Sequence, residues 1–292
     1  MAKNDKTPLV SIIVPLGIPR DITYLTIKNL LLDNYPEKEI IIVGNIKFRR
    51  LYTKDFVSKL MIPPAVKFVV GGRERAEQKN LGAIISKGEY LLFLDDDMIT
   101  EKGLLSECVK LMEDIIDVEG IVIPQQILPT SFIGKCKLVG EILRKTDEQS
   151  VAPRFMRKTA FFKTGCYDRD MVFAEDLFFA KKFFKKGYKY VSSTKRILYI
   201  ENDNIIQYLK KWIYYGFVAG ISIKKRKDDD DYKTIVRNYL FSHVSSLNLM
   251  NAIKFSVGMT LSFIILKIIE RLAFIYGIVK ALITNWKLGD ES

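Results

Sequence analysis

Short apolar runs recur along the first third of the chain, each stopping at a turn-forming or charged residue. Leu9 to Val14 ends at Pro15, Glu39 to Val43 at Gly44, Val66 to Val70 at Gly71 and Tyr90 to Leu94 at Asp95; Gly120 to Ile123 is a fifth run. Helical patterns separate them, Glu74 to Ser86 between the third and fourth being the clearest. Continuous apolar strands alternating with helices predict an α/β fold, with a mostly parallel sheet covered by helices on both faces. Ligands of such sheets bind outside the carboxyl ends of the strands. The positions to read for chemistry are therefore Pro15 to Arg20, Gly44 and Asn45, Gly71 to Arg75, and Asp95 to Asp97.

Farther on, AEDLFFAKKFFKK from Ala174 to Lys186 predicts a helix stopped by Gly187, followed by a short apolar stretch, Ile197 to Ile200. Beyond Glu201 the composition changes. Ile205 to Ile223 is a helix-length segment rich in Tyr and Trp, and KKRKDDDD from Lys224 to Asp231 reads as a solvated boundary. Leu247 to Ile283 is strongly apolar but broken by Lys254, Lys267, Glu270, Arg271 and Lys280. Its longest uncharged run, Phe255 to Leu266, falls short of the roughly 20 residues of a spanning helix. Helices lying in a membrane interface fit this pattern. The rival is a helical hairpin packed on the preceding domain or on a second copy.

Charge narrows the partners. With 46 Lys and Arg against 34 Asp and Glu, the net charge of +12 favours a polyanion. Nucleic acid is not expected, because no basic recognition helix, zinc spacing or RNA-binding aromatic signature accompanies the charge. A membrane surface or a phosphorylated substrate remains. Cys108, Cys136 and Cys166 are odd in number and far apart, which predicts buried free thiols in a reducing, cytosolic compartment. The opening MAKNDKTPLV has no apolar core of a secretory signal. One histidine, His243, is too few for a Ser-His-Asp triad or an HExxH zinc site at these motifs.

The strongest chemical feature is GEYLLFLDDD, Gly88 to Asp97, an apolar strand delivering three carboxylates to the ligand edge. Three adjacent acids repel, and a hard divalent cation bridging carboxylate and phosphate oxygens would relieve them. Strand alternation would put Asp95 and Asp97 on one side, ~6.5 Å apart, and Asp96 on the other. That geometry favours Asp97 as the direct metal ligand, with Asp95 assisting through water or a ribose.

The chain resembles glycosyltransferase family 2, of the GT-A fold, from about Leu9 to about Gly220. The motifs are VSIIVP (Val10 to Pro15), YPEKEIIIV (Tyr35 to Val43), KNLGAIISKGEYLLFLDDD (Lys79 to Asp97), KTGCYDRDMVFAEDLFFAKKFFKKGYKY (Lys163 to Tyr190) and LKKWIYYGFVAG (Leu209 to Gly220). The resemblance implies an inverting transfer of a sugar, a hexose in the leading reading, from a UDP- or GDP-sugar to a glycan hydroxyl or a lipid-linked phosphate. It makes Asp95-x-Asp97 the DxD motif for Mn²⁺ or Mg²⁺ and the donor diphosphate, and Asp176 the general base. Pro15, Asn45, Lys79 and Asp95 are then donor-side residues, and Gly165 and Glu175 acceptor-side ones. Lys79 also has a bland reading as an exposed helix lysine.

Three departures from the family pattern stand out. Gly44-Asn45 replaces an acidic residue after the second strand, LGIPR (Leu16 to Arg20) replaces the usual Tyr-Asn loop, and no His closes the domain where Glu201 or Asp203 stands. Glu201 is accordingly a further metal-ligand candidate. The expected organisation is a GT-A catalytic domain over 1–204, an aromatic and basic helix with a charged linker over 205–231, and an apolar helical region over 232–292. This last region would hold the protein peripherally at the cytoplasmic side of the membrane or pair it with a second copy. The competing class is a non-catalytic module of the same fold that binds nucleotide or membrane without turnover.

Overall fold

A computed structural model describes residues 7–60, 66–143, 152–201, 204–226, 229–241 and 256–284. The chain packs as two compact units. The first holds residues 1–125, 151–169 and 179–199, the second 126–150, 170–178 and 200–292.

The first unit is built on a seven-stranded sheet. Its strands are β1 (Val10–Leu16), β2 (Lys38–Gly44), β3 (Val66–Val70), β4 (Tyr90–Phe93), β6 (Val118–Val122), β8 (Phe155–Arg157) and β9 (Lys189–Ser192), in the order β3-β2-β1-β4-β8-β6-β9. β1 runs parallel to β2 and β4, β2 parallel to β3, and β6 parallel to β9. The exception is β8, antiparallel to both β4 and β6. A small antiparallel pair, β5 (Met98–Thr100) with Ile197 to Tyr199 of β10 (Ile197–Ile200), lies just past the acidic triplet.

Side-chain alternation divides the core. Val10, Ile12 and Val14 of β1 face α1 (Asp21–Leu32), α2 (Lys54–Leu60) and α4 (Leu104–Asp114), whose Ile27, Leu30, Phe56, Leu105 and Met112 are buried with them. Ile13, Leu91 and Phe93 point the other way, onto Ala76 and Ala83 of α3 (Arg75–Ile85), Phe161 of α6 (Lys158–Thr164) and Phe179 of α7 (Glu175–Lys185). Each fully buried Ile, Leu or Phe contributes about 1.5–3 kcal/mol, so two apolar faces fix the register of every central strand. The α/β fold read from the apolar runs is the fold observed.

Besides Gln126 to Leu128 of strand β7 (Gln125–Leu128), the second unit is mostly helical where described: α5 (Phe132–Leu143), α8 (Ile205–Lys225), α9 (Asp230–Phe241) and α10 (Val257–Ile283). Helices α8 and α10 touch backbone to backbone. A methyl group on Gly216 would overlap the Phe274 carbonyl, and one on Gly277 the Ile213 carbonyl. Most aromatic positions of α8 pack inward: Trp212 stacks on Tyr239 at 5.3 Å and Tyr208 is buried, while Tyr214 is exposed. Glu270 is buried at 1% exposure, accepting from Lys267 Nζ (2.7 Å), Tyr239 Oη (2.7 Å) and the Tyr208 hydroxyl.

The expected solvated boundary is partly structure. Lys224 and Lys225 end α8, and Lys224 Nζ donates to the carbonyls of Ala281 (2.7 Å) and Thr284 (2.9 Å), tying down the last turn of α10. Of the apolar stretch expected from Leu247, the part before Ser256 lies outside the described residues. Helix α10 buries Phe263, Leu266, Phe274 and Ala281 but leaves Leu261, Ile265, Ile268, Leu272, Val279 and Leu282 exposed along its opposite face. No described helix is long and apolar enough to cross a membrane. Cys108, Cys136 and Cys166 are free thiols, the first two buried.

Candidate active site

Strand β4 is wholly buried and ends at Phe93, and the Leu94 amide makes the last ladder bond to the Ile13 carbonyl (3.1 Å). The acids do not continue the strand. They form a turn closed by Met98 N donating to Asp95 O (3.2 Å), which corrects the expected alternation of an extended triplet. Tertiary contacts cause the turn. Asp96 is held on the first turns of α1 by Thr23 Oγ1 to its Oδ2 (3.3 Å) and Thr26 Oγ1 to its carbonyl (3.1 Å). Desolvation pushes the Asp96 carboxyl up to about 6; Asp97 and Asp95 add to the rise, and Arg20 opposes it.

The turn thus presents Asp97 beside Asp96, and Asp95 apart. Arg20 Nη2 reaches Asp96 Oδ1 at 2.9 Å and Asp97 Oδ2 at 3.2 Å. Asp95 instead faces Arg154 (3.5 Å), Lys79 (3.9 Å) and Arg75 (4.0 Å). Lys79 is 2% exposed and lies 5.1 Å from the Tyr167 ring centroid, so it is no surface helix lysine. Arg154 is also buried, and its Nη1 donates to the Phe93 carbonyl (3.4 Å). Four cations therefore surround three carboxylates at the carboxyl edge of the sheet, a charge excess suited to a polyphosphate.

The sequence profile described as glycosyl transferase family 2 matches residues 11–168, more than half of the chain. The chain belongs to this family. A search of curated protein sequences finds no match. Among solved structures, the chain is similar to the mannosyltransferase PcManGT from Pyrobaculum calidifontis in complex with GDP-Man and Mn²⁺, with 16% identity and a TM-score of 0.58 over 95% of this chain and 88% of that one. It is also similar to S. aureus TarS 1-349 in complex with UDP-GlcNAc, with 13% identity and a TM-score of 0.50 over 72% of this chain and 66% of that one. At such identities the likeness shows a shared GT-A fold.

Within this family frame the other predicted residues take definite places. Pro15 is buried near the end of β1, opposite Val43 of β2. Asn45 is buried with its amide in use: Nδ2 donates to the Arg73 carbonyl (2.8 Å), and Oδ1 accepts from Lys47 N (2.9 Å), starting a 3-10 turn over Ile46–Leu51. Gly165 stops α6 in the left-handed region (φ 96°), its amide and that of Cys166 returning to the carbonyls of Phe162 and Phe161. Only glycine takes that conformation without strain. Thr164 beside it donates to the Ala160 carbonyl (2.8 Å).

Glu175 and Asp176 open α7, Glu175 buried and Asp176 half-buried, directly after Ala174 in a left-handed conformation (φ 60°). A non-glycine residue there costs about 1–2 kcal/mol, strain of a kind that gathers at functional sites. Glu201 is buried between Lys137, which reaches Oε2, and Lys211, 3.5 Å from Oε1. Burial alone would raise its pKa, but Lys211 and Lys137 hold it below the usual carboxylate range. A metal there would have to displace both lysines. Asp203 and His243 lie outside the described residues.

Among the described residues no group of three or more His, Cys, Asp and Glu side chains forms a metal cage. The acid turn nonetheless fits an ion of the magnesium type, which binds through one or two carboxylates plus substrate phosphates. Asp97 is 28% exposed and Arg20 engages only its Oδ2. Sequence reasoning reached Arg20 and Arg75 as strand-end residues but gave them no role, and it missed Arg154.

Proposed function

We propose that the chain is a nucleotide-sugar transferase that moves a hexosyl group from a UDP- or GDP-sugar to an acceptor hydroxyl or lipid phosphate, with inversion. The observation that carries this reading is the ring of Arg20, Arg75, Lys79 and Arg154 around the Asp95–Asp97 turn at the ligand edge of a family 2 fold. Asp97 would hold a divalent ion, Mn²⁺ or Mg²⁺, which when bound offsets charge on the departing diphosphate. Buried Lys79 and Arg154 fix Asp95 in place. Arg75, 44% exposed, would add a positive charge at the rim of the site, where the phosphate oxygens would lie. Asp176 would take the proton of a hydroxyl acceptor.

The test is ligand-induced stabilisation. UDP or GDP with Mn²⁺ should raise the melting temperature of the wild type, since a ligand at 100 times its Kd adds about 2.7 kcal/mol. Asp97→Ala should fold and lose the Mn²⁺-dependent part of that shift; an unchanged shift would remove Asp97 from the metal site. The competing reading, a module that binds without turnover, draws on the internal use of the Asn45 amide. Nucleotide binding with no hydrolysis or transfer across a broad panel of donors and acceptors would favour it.

Association with the cytoplasmic face of a membrane is part of the proposal. Its support is the exposed apolar face of α10 on a chain of net charge +12, a combination suited to lying in an anionic lipid interface. Ile268→Glu with Leu272→Glu should abolish sedimentation with anionic vesicles without lowering the melting temperature. Unchanged sedimentation would refute the anchor, and a fall in oligomer size instead would assign the face to a second copy.

A further inference from the structure

Resting on the donor reading above, we infer that Arg20 is an exchangeable internal counter-cation: it holds Asp97 in the donor-free protein and passes to the donor's diphosphate when a divalent ion takes Asp97.

The four cations at the turn are not equivalent. Lys79 and Arg154 are buried, and with Arg75 they face Asp95. Arg20 is the member of the set that engages Asp97, through the oxygen Oδ2. It is 41% exposed and sits in the extended residue just ahead of α1, next to a loop where Ile18 is also exposed. The same Nη2 also contacts Asp96 at 2.9 Å, and Asp96 is secured independently by Thr23 and Thr26. Asp96 can thus serve as a pivot that keeps the guanidinium at the site after Asp97 is released.

Electrostatics supplies the exchange. A guanidinium and a divalent cation on one carboxylate repel, so each weakens the other's hold on Asp97. A diphosphate brought by the ion is a better partner for the planar fork, which can take two oxygens at once. Arg20 therefore opposes binding of the bare ion and favours binding of the ion together with a nucleoside diphosphate. The site is thereby biased towards loading both at once. The LGIPR loop, one of the chain's departures from its family's pattern, carries this residue.

The experiment compares full-length wild type with Arg20→Gln and Arg20→Lys. Free Mn²⁺ is followed by electron paramagnetic resonance, and UDP and GDP are titrated calorimetrically in saturating Mn²⁺. Arg20→Gln removes the charge but can still donate to Asp96. It should bind Mn²⁺ alone about 5- to 10-fold more tightly and the nucleoside diphosphate about 10-fold more weakly, the loss expected for one charge-assisted hydrogen bond. Arg20→Lys should lie between it and the wild type on both scales. Opposite signs are the signature, because a residue that merely props up the turn would weaken both ligands. Weakening of both, or no change in Mn²⁺ affinity, overturns the inference. If the wild type binds neither nucleotide, the donor reading fails, and the Mn²⁺ titration alone decides: tightening in Arg20→Gln retains the counter-cation, and no tightening rejects it.

Discussion

Asp176→Asn is expected to lower transfer to a hydroxyl acceptor by about 10² to 10⁴-fold while leaving nucleoside diphosphate affinity in Mn²⁺ unchanged. The substitution keeps size and most hydrogen bonding and removes the proton-accepting charge. The backbone argues for Asp176 over its neighbour. Glu175 is buried and Asp176 half-buried, and adjacent helix residues do not share a face. Core packing of Phe179 and Phe183 on the same helix fixes where α7 begins. The measurement is initial rate with the acceptor established for the wild type, since a phosphate acceptor is already ionised and needs a base less. Near-normal rates for Asp176→Asn together with a nearly inactive Glu175→Gln would transfer the role to Glu175.

The largest effect on stability is expected in the second unit, from Gly216→Ala. The new methyl group would meet the Phe274 carbonyl of α10, a backbone atom that cannot rotate away. Overpacking typically costs 1–3 kcal/mol, and a clash with backbone belongs at the top of that range, about 3 kcal/mol. Alanine's better helix propensity returns about 1 kcal/mol, leaving a net loss of about 2 kcal/mol. Gly277→Ala, which meets the Ile213 carbonyl, should behave alike. Opening of the α8 and α10 contact can be followed by hydrogen exchange of the α10 amides. Protection unchanged from wild type would mean that the helices separate without penalty. A control at Gly17, where an added methyl group meets nothing and the backbone is not left-handed, should leave α10 protection untouched.

How much of this was legible in the sequence follows from where each signal is encoded. The parallel strands announce themselves because burial on both faces demands unbroken apolar runs, and their ends lead directly to Arg20, Arg75 and Asp95 to Asp97. The shape of the acid turn is different. It depends on Thr23 and Thr26, some 70 residues upstream, so no local rule could replace the extended alternation with a turn. Arg154 was illegible for a related reason. It enters a three-residue strand, Phe155–Arg157, inserted antiparallel between β4 and β6, too short for any periodicity to show. Helix α3 misleads in its own way, because Gln78, Lys79 and Asn80 are polar and yet buried. Gln78 Nε2 donates to the carbonyls of Leu16 and Val43, and Asn80 pairs with the backbone of Tyr167. Hydropathy assigns such residues to solvent, whereas here they finish the edge that the strands leave open.

Pro15 gives that edge a mechanical character. The ladder between β1 and β4 closes at Leu94, and the next residue of β1 facing β4 is Pro15, which has no amide hydrogen to extend it. Past Leu94 the chain is therefore held by side chains and no longer by the β1 ladder: Asp96 and Asp97 by Thr23, Thr26 and Arg20, and Asp95 by Arg154 and Lys79. Movement of Asp96 and Asp97 would break no bond of the central ladder, so the cost of reshaping the acid turn falls on its side-chain partners and leaves the sheet beneath it untouched.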